Sequence, residues 1–257
     1  MKRFVTVLLF ASTTFAAGPE HQPQVFPGFN LWLPTSANVP GRFGAYFRTR
    51  VSVLNPQNFG YNVSVKLHDS SGSGRTAQFS LAPGEQKTWD DFLGSVFPGA
   101  TAGALEFDSW LAVPGGSSSN TFLVSAMVYT DEPGGRYGTS LPTFAIPTAY
   151  GGTPLAYSAG IEVSARRRTN VGCVNGSPYS SAIVQAEIHA SDGSVLGTVQ
   201  INLSPAGWNQ TSVPFPVSNG YVHWRNVEAA WLPLCFAVVV ENDSNDGSLI
   251  LGTDIAD

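Results

Sequence analysis

Five carboxylates fall in segments that read as strands: Glu106, Asp108, Glu162, Glu187 and Glu228. Glycoside hydrolysis needs two carboxylates at a suitable separation, one as acid and one as base or nucleophile. Linear spacing selects no such pair, and a solvated or salt-bridged side chain is the expectation for each. The four histidines are His21, His68, His189 and His223. A metal site needs converging ligands, and neither H-E-x-x-H nor H-x-H occurs, so no metal ligand set is expected. His68 and His189 end equivalent strand patterns and read as surface histidines. No G-x-S-x-G is present, and Gly138-Thr139-Ser140 lacks the strand–turn–helix context of a nucleophile elbow. No catalytic residue is therefore assigned. The acidic turns at 190–193 and 243–247 offer oxygen ligands that calcium could use. Neither has EF-hand spacing, so ordinary turn chemistry by Asp, Asn and Gly is expected. No cofactor is assigned, with calcium open but unsupported.

Arg166-Arg167-Arg168 is the only run of three basic residues. Alternation along a strand sends Arg166 and Arg168 to one face and Arg167 to the other. The run is expected to be a solvated strand start pairing with Glu162 or turn carboxylates. Its functional alternative is contact with an anion such as an acidic polysaccharide. Trp89, Trp110, Trp208 and Trp224 fall near turns or strand ends and are candidate ligand-binding residues. An aromatic platform offers sugar rings apolar area with a polar rim. The competing reading makes these rings caps on the cores and on the contact between units.

The background composition narrows the classes. Charged residues are 12% of the 257, against about 25% in a typical globular chain. With 13 basic and 18 acidic residues and a net charge of -5, the chain lacks the basic density of a nucleic-acid binder. Weak mutual repulsion suits a protein packed into an extracellular assembly or lying on a surface. The 27 Gly and 18 Pro follow no collagen period. No convincing helical periodicity is sustained, apart from a short candidate at Trp89 to Phe97. Helical bundles and coiled coils are excluded, and a Gly/Pro-punctuated all-β protein remains. The start reads as a signal peptide over 1–16: basic Met1-Lys2-Arg3, apolar Phe4 to Phe10, then small residues to Ala16. No later segment approaches the roughly 18 apolar residues of a spanning helix. The expected location is secreted or extracellular, or associated with the cell surface.

The elements that must position these side chains occur twice. Arg48 to Asn55 matches Arg168 to Asn175, and Val63 to His68 matches Val184 to His189. Phe79 to Gly84 matches Ile201 to Gly207, and Phe122 to Tyr129 matches Pro233 to Val240. Four matches in one order indicate duplication of a unit of roughly 100 residues. The predicted layout is an extension at 17–38, a first unit at 39–142, a linker at 143–157 and a second unit at 158–257. The apolar segment Val25 to Pro34 is expected to add a strand to the first unit or to dock on another molecule. Cys173 falls where the first unit has Val53, and Cys235 where it has Val124. An exported chain permits pairing, and a disulfide across the core between facing sheets is expected. Buried free thiols are the alternative.

With its cysteines on the second and sixth strands, the second unit resembles an immunoglobulin-like sandwich domain. Arg168 to Gly172, Leu203 to Gly207 and Ala237 to Asn242 also resemble repeats of secreted bacterial proteins of poorly defined function. Those repeats open on an Arg-Thr/Ser-Asn-Val/Leu-Gly strand, turn at Leu-x-Pro-x-Gly and close on Ala-x-Val-Val-Asp/Glu-Asn. The resemblance implies two tandem antiparallel immunoglobulin-like β-sandwich domains in an extracellular setting. It carries no catalytic residues. The expected function is that of a non-catalytic surface, matrix or adhesion-type protein. Its expected partner is another copy, a cell-surface component or a polysaccharide, with no nucleic acid and no membrane span. The competing expectation is a secreted hydrolase or carbohydrate-binding accessory protein acting on polysaccharide.

Overall fold

A computed structural model describes residues 30–110 apart from 73, and residues 121–144, 156–229 and 233–254. The predicted signal segment lies outside these residues. The first unit contains β1 (Asn30–Pro40), β2 (Tyr46–Leu54), β3 (Tyr61–His68), β4 (Arg75–Leu81) and β5 (Gln86–Trp89). After these come the helix α1 (Phe92–Val96), β6 (Ala102–Trp110), β7 (Leu123–Glu132) and β8 (Gly135–Leu141). The second unit contains β9 (Ala156–Val163), β10 (Arg167–Val174), β11 (Ala182–His189), β12 (Val195–Leu203) and β13 (Trp208–Ser212). It ends with β14 (Val217–Glu228), β15 (Leu234–Glu241), β16 (Gly247–Leu251) and β17 (Thr253–Asp254). The fold is all-β, with three antiparallel sheets. No helix among the described residues is long and apolar enough to cross a membrane.

Strand pairing repeats. β2 pairs with β5 and β7 as β10 pairs with β13 and β15. β3 pairs with β4 and β6 as β11 pairs with β12 and β14. Period-two alternation explains the buried faces: Val63, Val65 and Leu67 are fully buried, while Asn62, Ser64 and Lys66 between them are half-buried. In the first unit β1 runs through both layers, pairing with β6 by its first part and with β2 by Asn38–Pro40. Residues 30–34 of the apolar stretch ahead of the first unit thus belong to a strand of that unit, and residues 25–29 lie outside the described residues. Buried polar groups are duplicated as well. Thr49 Oγ1 accepts from the Ala37 N–H at 2.7 Å and donates to the Ala37 carbonyl at 3.1 Å. Thr169 makes the same two bonds to Glu162. Asn55 and Asn175 each donate to two loop carbonyls and accept from the backbone N–H two residues on. Such satisfied groups let a loop turn inside the protein without orphaned backbone.

Cys173 and Cys235 form a disulfide, as expected. Its placement differs from the expectation. The two residues face each other on β10 and β15, hydrogen-bonded neighbours in one sheet, with Cα atoms 4.1 Å apart. The bridge is a cross-strand link, because the matching register that pairs Val53 with Val124 places the cysteines side by side.

β15 also shows why the second unit has a continuous apolar run. Cys235, Ala237 and Val239 face its own core. Phe236 and its neighbours Leu234 and Val238 face the other way, against Trp32 and Ala104 of the first unit. A strand buried on both faces loses its alternation. At the position of Phe236 the first unit has Ser125, which is exposed. The strand opposite has changed with it: Ser52 pairs with Ser125, and Gly172 pairs with Phe236. A Cβ on Gly172 would stand 2.6 Å from Phe236 Cζ. Phe236→Ala should therefore cost about 3–5 kcal/mol, the usual penalty for emptying a buried ring site. Ser125→Ala should stay within about 0.5 kcal/mol. Urea unfolding of the two variants checks this.

Candidate functional site

The junction of the units positions the candidate site. On the first unit's outer face Trp32 stacks on His68 with ring centroids 4.5 Å apart. His68 is 2% exposed. Its Nδ1 lies 2.8 Å from the Ala206 carbonyl of the second unit, and its Nε2 lies 2.8 Å from Glu106 Oε2. The ring thus bridges a backbone carbonyl of the second unit and a carboxylate of the first. Trp208 completes the contact: its backbone N–H donates to the Asp69 carbonyl and its Nε1 donates to the Pro34 carbonyl. The surface histidine expected at position 68 is thus buried, because the second unit covers it. His189 is buried too, by its own turn and by Tyr221, whose ring stacks on it at 4.6 Å.

Beside this contact the units leave a cleft of about 410 Å³, within the range of small-ligand sites. Its walls come from the end of β1 and from β8 on one side, and from β10, β13, β15 and β16 on the other. Val39, Phe47, Val238 and Leu249 supply apolar wall, and Thr139, Asn170, Gln210 and Ser212 supply hydrogen-bonding groups. Among the described residues, the charged lining residues are Arg42 and Arg168, and no Asp or Glu lines the cleft. Arg168 is half-buried, and its guanidinium donates to Asn242 Oδ1 and Asn245 Oδ1, both at 2.9 Å. Burial, and then the neighbouring charge of Arg42, push Arg168 below the ordinary guanidinium value. A cation held by neutral oxygens beside a second cation is an incomplete electrostatic arrangement. An entering carboxylate or sulfate would complete it through charge-assisted hydrogen bonds.

The arginine run divides as its surroundings dictate. Arg167 is committed to Glu162 and Glu241, at 2.8 and 2.6 Å. Arg166 precedes β10 and is exposed in the turn, so strand alternation does not reach it. Only Arg168 enters the cleft. The tryptophans do not form a platform. Trp224 is 3% exposed in the second core, with its Nε1 bonded to Ser158 Oγ. Trp89 packs on Phe79 and Phe92 of the first core. Trp208 lines the cleft from the junction, and the side chain of Trp110 lies outside the described residues. The indoles of Trp89, Trp208 and Trp224 are used for packing.

Two carboxylates do converge. Asn30 Nδ2 donates to Glu106 at 3.0 Å and to Asp108 at 2.8 Å. Burial raises Glu106, but hydrogen bonds from His68 and Asn30 outweigh it and hold the carboxyl below its usual range. Asp108 moves up, through burial first, against the Asn30 bond and with the charge of Glu106. Neither residue lines the cleft. Glu187 forms a second cluster with His189 and His223 on the outer face of β11 and β14. Sequence reading missed this cluster because its histidines lie on different strands. The available signal was Glu187-x-His189 on one strand, with His223 on a later strand expected to pair with it.

No family model and no curated protein matches the chain. Among solved structures, a calcium-binding mutant of Bacteroides uniformis beta-glucuronidase 2 is similar at 11% identity and a TM-score of 0.18. The match covers 88% of this chain and 26% of that one. A likeness of this degree carries no argument.

Glu106 predicts an acid limit for the junction. Its depressed folded pKa contributes stability above the unfolded value of about 4.3, and that contribution is lost as pH falls through the folded value. The urea midpoint should therefore fall between about pH 5 and pH 3, and Glu106→Gln should flatten that fall. Equal slopes for both proteins would contradict the assignment.

Proposed function

We propose that the protein is an exported, non-catalytic binding module made of two tandem immunoglobulin-like β-sandwich units, whose cleft takes an acidic saccharide. The repeated two-sheet pairing, with one apolar core per unit, supports the sandwich reading. The signal-like start and the disulfide support export. The observation that carries the function is the pair Arg42 and Arg168 in a cleft where no carboxylate stands among the described residues. The apolar wall suits the C–H face of a sugar ring, and Thr139, Asn170, Gln210 and Ser212 suit its hydroxyls. The guanidinium fork of Arg168 suits a uronate or sulfate. The hydrolase alternative has Glu106 and Asp108 as its acid–base pair, since their pKa values are pushed apart. That pair stands outside the cleft and is engaged by Asn30 and His68, so binding is the better reading.

Trp208 provides the readout. Acidic oligosaccharides should change its fluorescence, and neutral ones of the same length should not. Arg168→Met should weaken binding by about tenfold or more, corresponding to one charge-assisted contact of roughly 1.5–3 kcal/mol. Equal binding of acidic and neutral sugars, or an unchanged affinity in Arg168→Met, would overturn the reading.

A further inference from the structure

We propose that Glu187, His189 and His223 form a binding site for a divalent transition-metal ion of the zinc class, on the outer face of the second unit. Glu187 and His189 alternate on β11, so both project from the same face. His223 lies directly opposite Glu187 on β14. One donor atom from each of the three lies within 4.8 Å of the other two. Glu187 Oε1 is 2.8 Å from His189 Nε2 and 3.6 Å from His223 Nδ1. Ligands at ordinary zinc distances in a tetrahedron stand about 3.4 Å apart. The two observed separations bracket that edge, and modest side-chain adjustment seats an ion.

The surroundings are those of a supported ligand set. The Gly193 carbonyl lies 2.9 Å from His189 Nδ1. A carbonyl only accepts, so Nδ1 carries a proton, and Nε2 faces Glu187 Oε1, where an ion would replace the hydrogen bond between them. The Gly193 carbonyl is the outer contact that fixes a metal-binding histidine tautomer. The ring of His189 is held by Tyr221, and that of His223 by Tyr157 at 4.7 Å and 7°. His223 Nε2 is buried without a hydrogen-bond partner among the described residues, so the working end of that ring is Nδ1. Arg225 Nη1 contacts Glu187 Oε2 at 3.3 Å, which orients the carboxylate and leaves Oε1 for the ion.

The first unit is an internal comparison. Lys66 pairs with Glu106 where Glu187 pairs with His223. There an ammonium occupies the position of the carboxylate ligand, and His68 is covered by Ala206. Among the described residues, two imidazoles and a carboxylate occur together only in the second unit. Imidazole favours zinc, copper and nickel over calcium or magnesium. The site is separate from the cleft and does not rest on the saccharide reading.

The test uses the full mature chain without a histidine tag, stripped with chelator, at about pH 7.5, where free imidazole is mostly neutral. Calorimetry with Zn2+ should give one ion per chain. Co2+ should give the visible absorption of a low-coordinate nitrogen–oxygen site. Glu187→Gln and His223→Gln should each weaken Zn2+ binding by about a hundredfold. Arg225→Gln should weaken it by about tenfold, as outer-shell changes do. Thermal midpoints in chelator, matching the parent, show that the variants fold. No binding by the parent, or binding that survives in both ligand variants, overturns the proposal.

Discussion

Phe236 points away from the core of its own unit and is fully buried against the first. The rest of the architecture depends on this apolar contact. Two β units joined by a short segment would otherwise be free to reorient. A ring inserted over Gly172, with Trp32, Val174 and Trp208 around it, fixes one orientation. The cleft is a consequence, because its two walls belong to different units and keep their spacing only while the contact holds.

Burying that face also buries polar groups, and each needs a partner. The turn between β12 and β13 brings the Ala206 carbonyl and the Trp208 backbone against the first unit. His68 and the Asp69 carbonyl receive them. Glu106 then receives the far nitrogen of His68. The ring is a hydrogen-bond bridge and a stacking partner for Trp32 at once. The junction therefore combines a non-directional apolar term with a directional polar one, and the polar term specifies which rotation of the units is allowed.

Much of the fold was legible in the sequence because it rests on local periodicity. Val63-Ser64-Val65-Lys66-Leu67 can only be a half-buried strand, and its copy at Val184 to Ile188 behaves alike. The repeat comparison also picked out Cys173 and Cys235 as partners. It did not give their arrangement, because sheet neighbours and facing strands show the same alternation and differ only in hydrogen-bond pairing. The candidate site was less legible for the same reason. Arg168 reads like Arg166 and Arg167 until Glu162 and Glu241 take Arg167 and the cleft closes around Arg168. Glu187 and His223 meet only once the register of β11 and β14 is set. The tryptophans stayed open between ligand contact and packing, because an indole at a strand end looks the same whether it faces solvent or a core.

The divergence of the two copies is itself informative about function. Positions that must stay alike for a unit to fold have stayed alike: Thr49 and Thr169, Asn55 and Asn175, Leu81 and Leu203. Besides the core pair Val53 and Val124, replaced by the disulfide cysteines, two pairs on outer faces have changed. Ser52 and Ser125 became Gly172 and Phe236, which makes glue. Where the first unit has Lys66 opposite Glu106, the second has Glu187 opposite His223, which turns a cross-strand pair into a set of donors. A core substitution tolerates little, since interiors are close-packed, whereas an outer face can change chemistry without disturbing the fold. In this protein the two units share a scaffold and differ in what their outer faces hold: the first is closed by its neighbour, and the second keeps an open group of polar side chains.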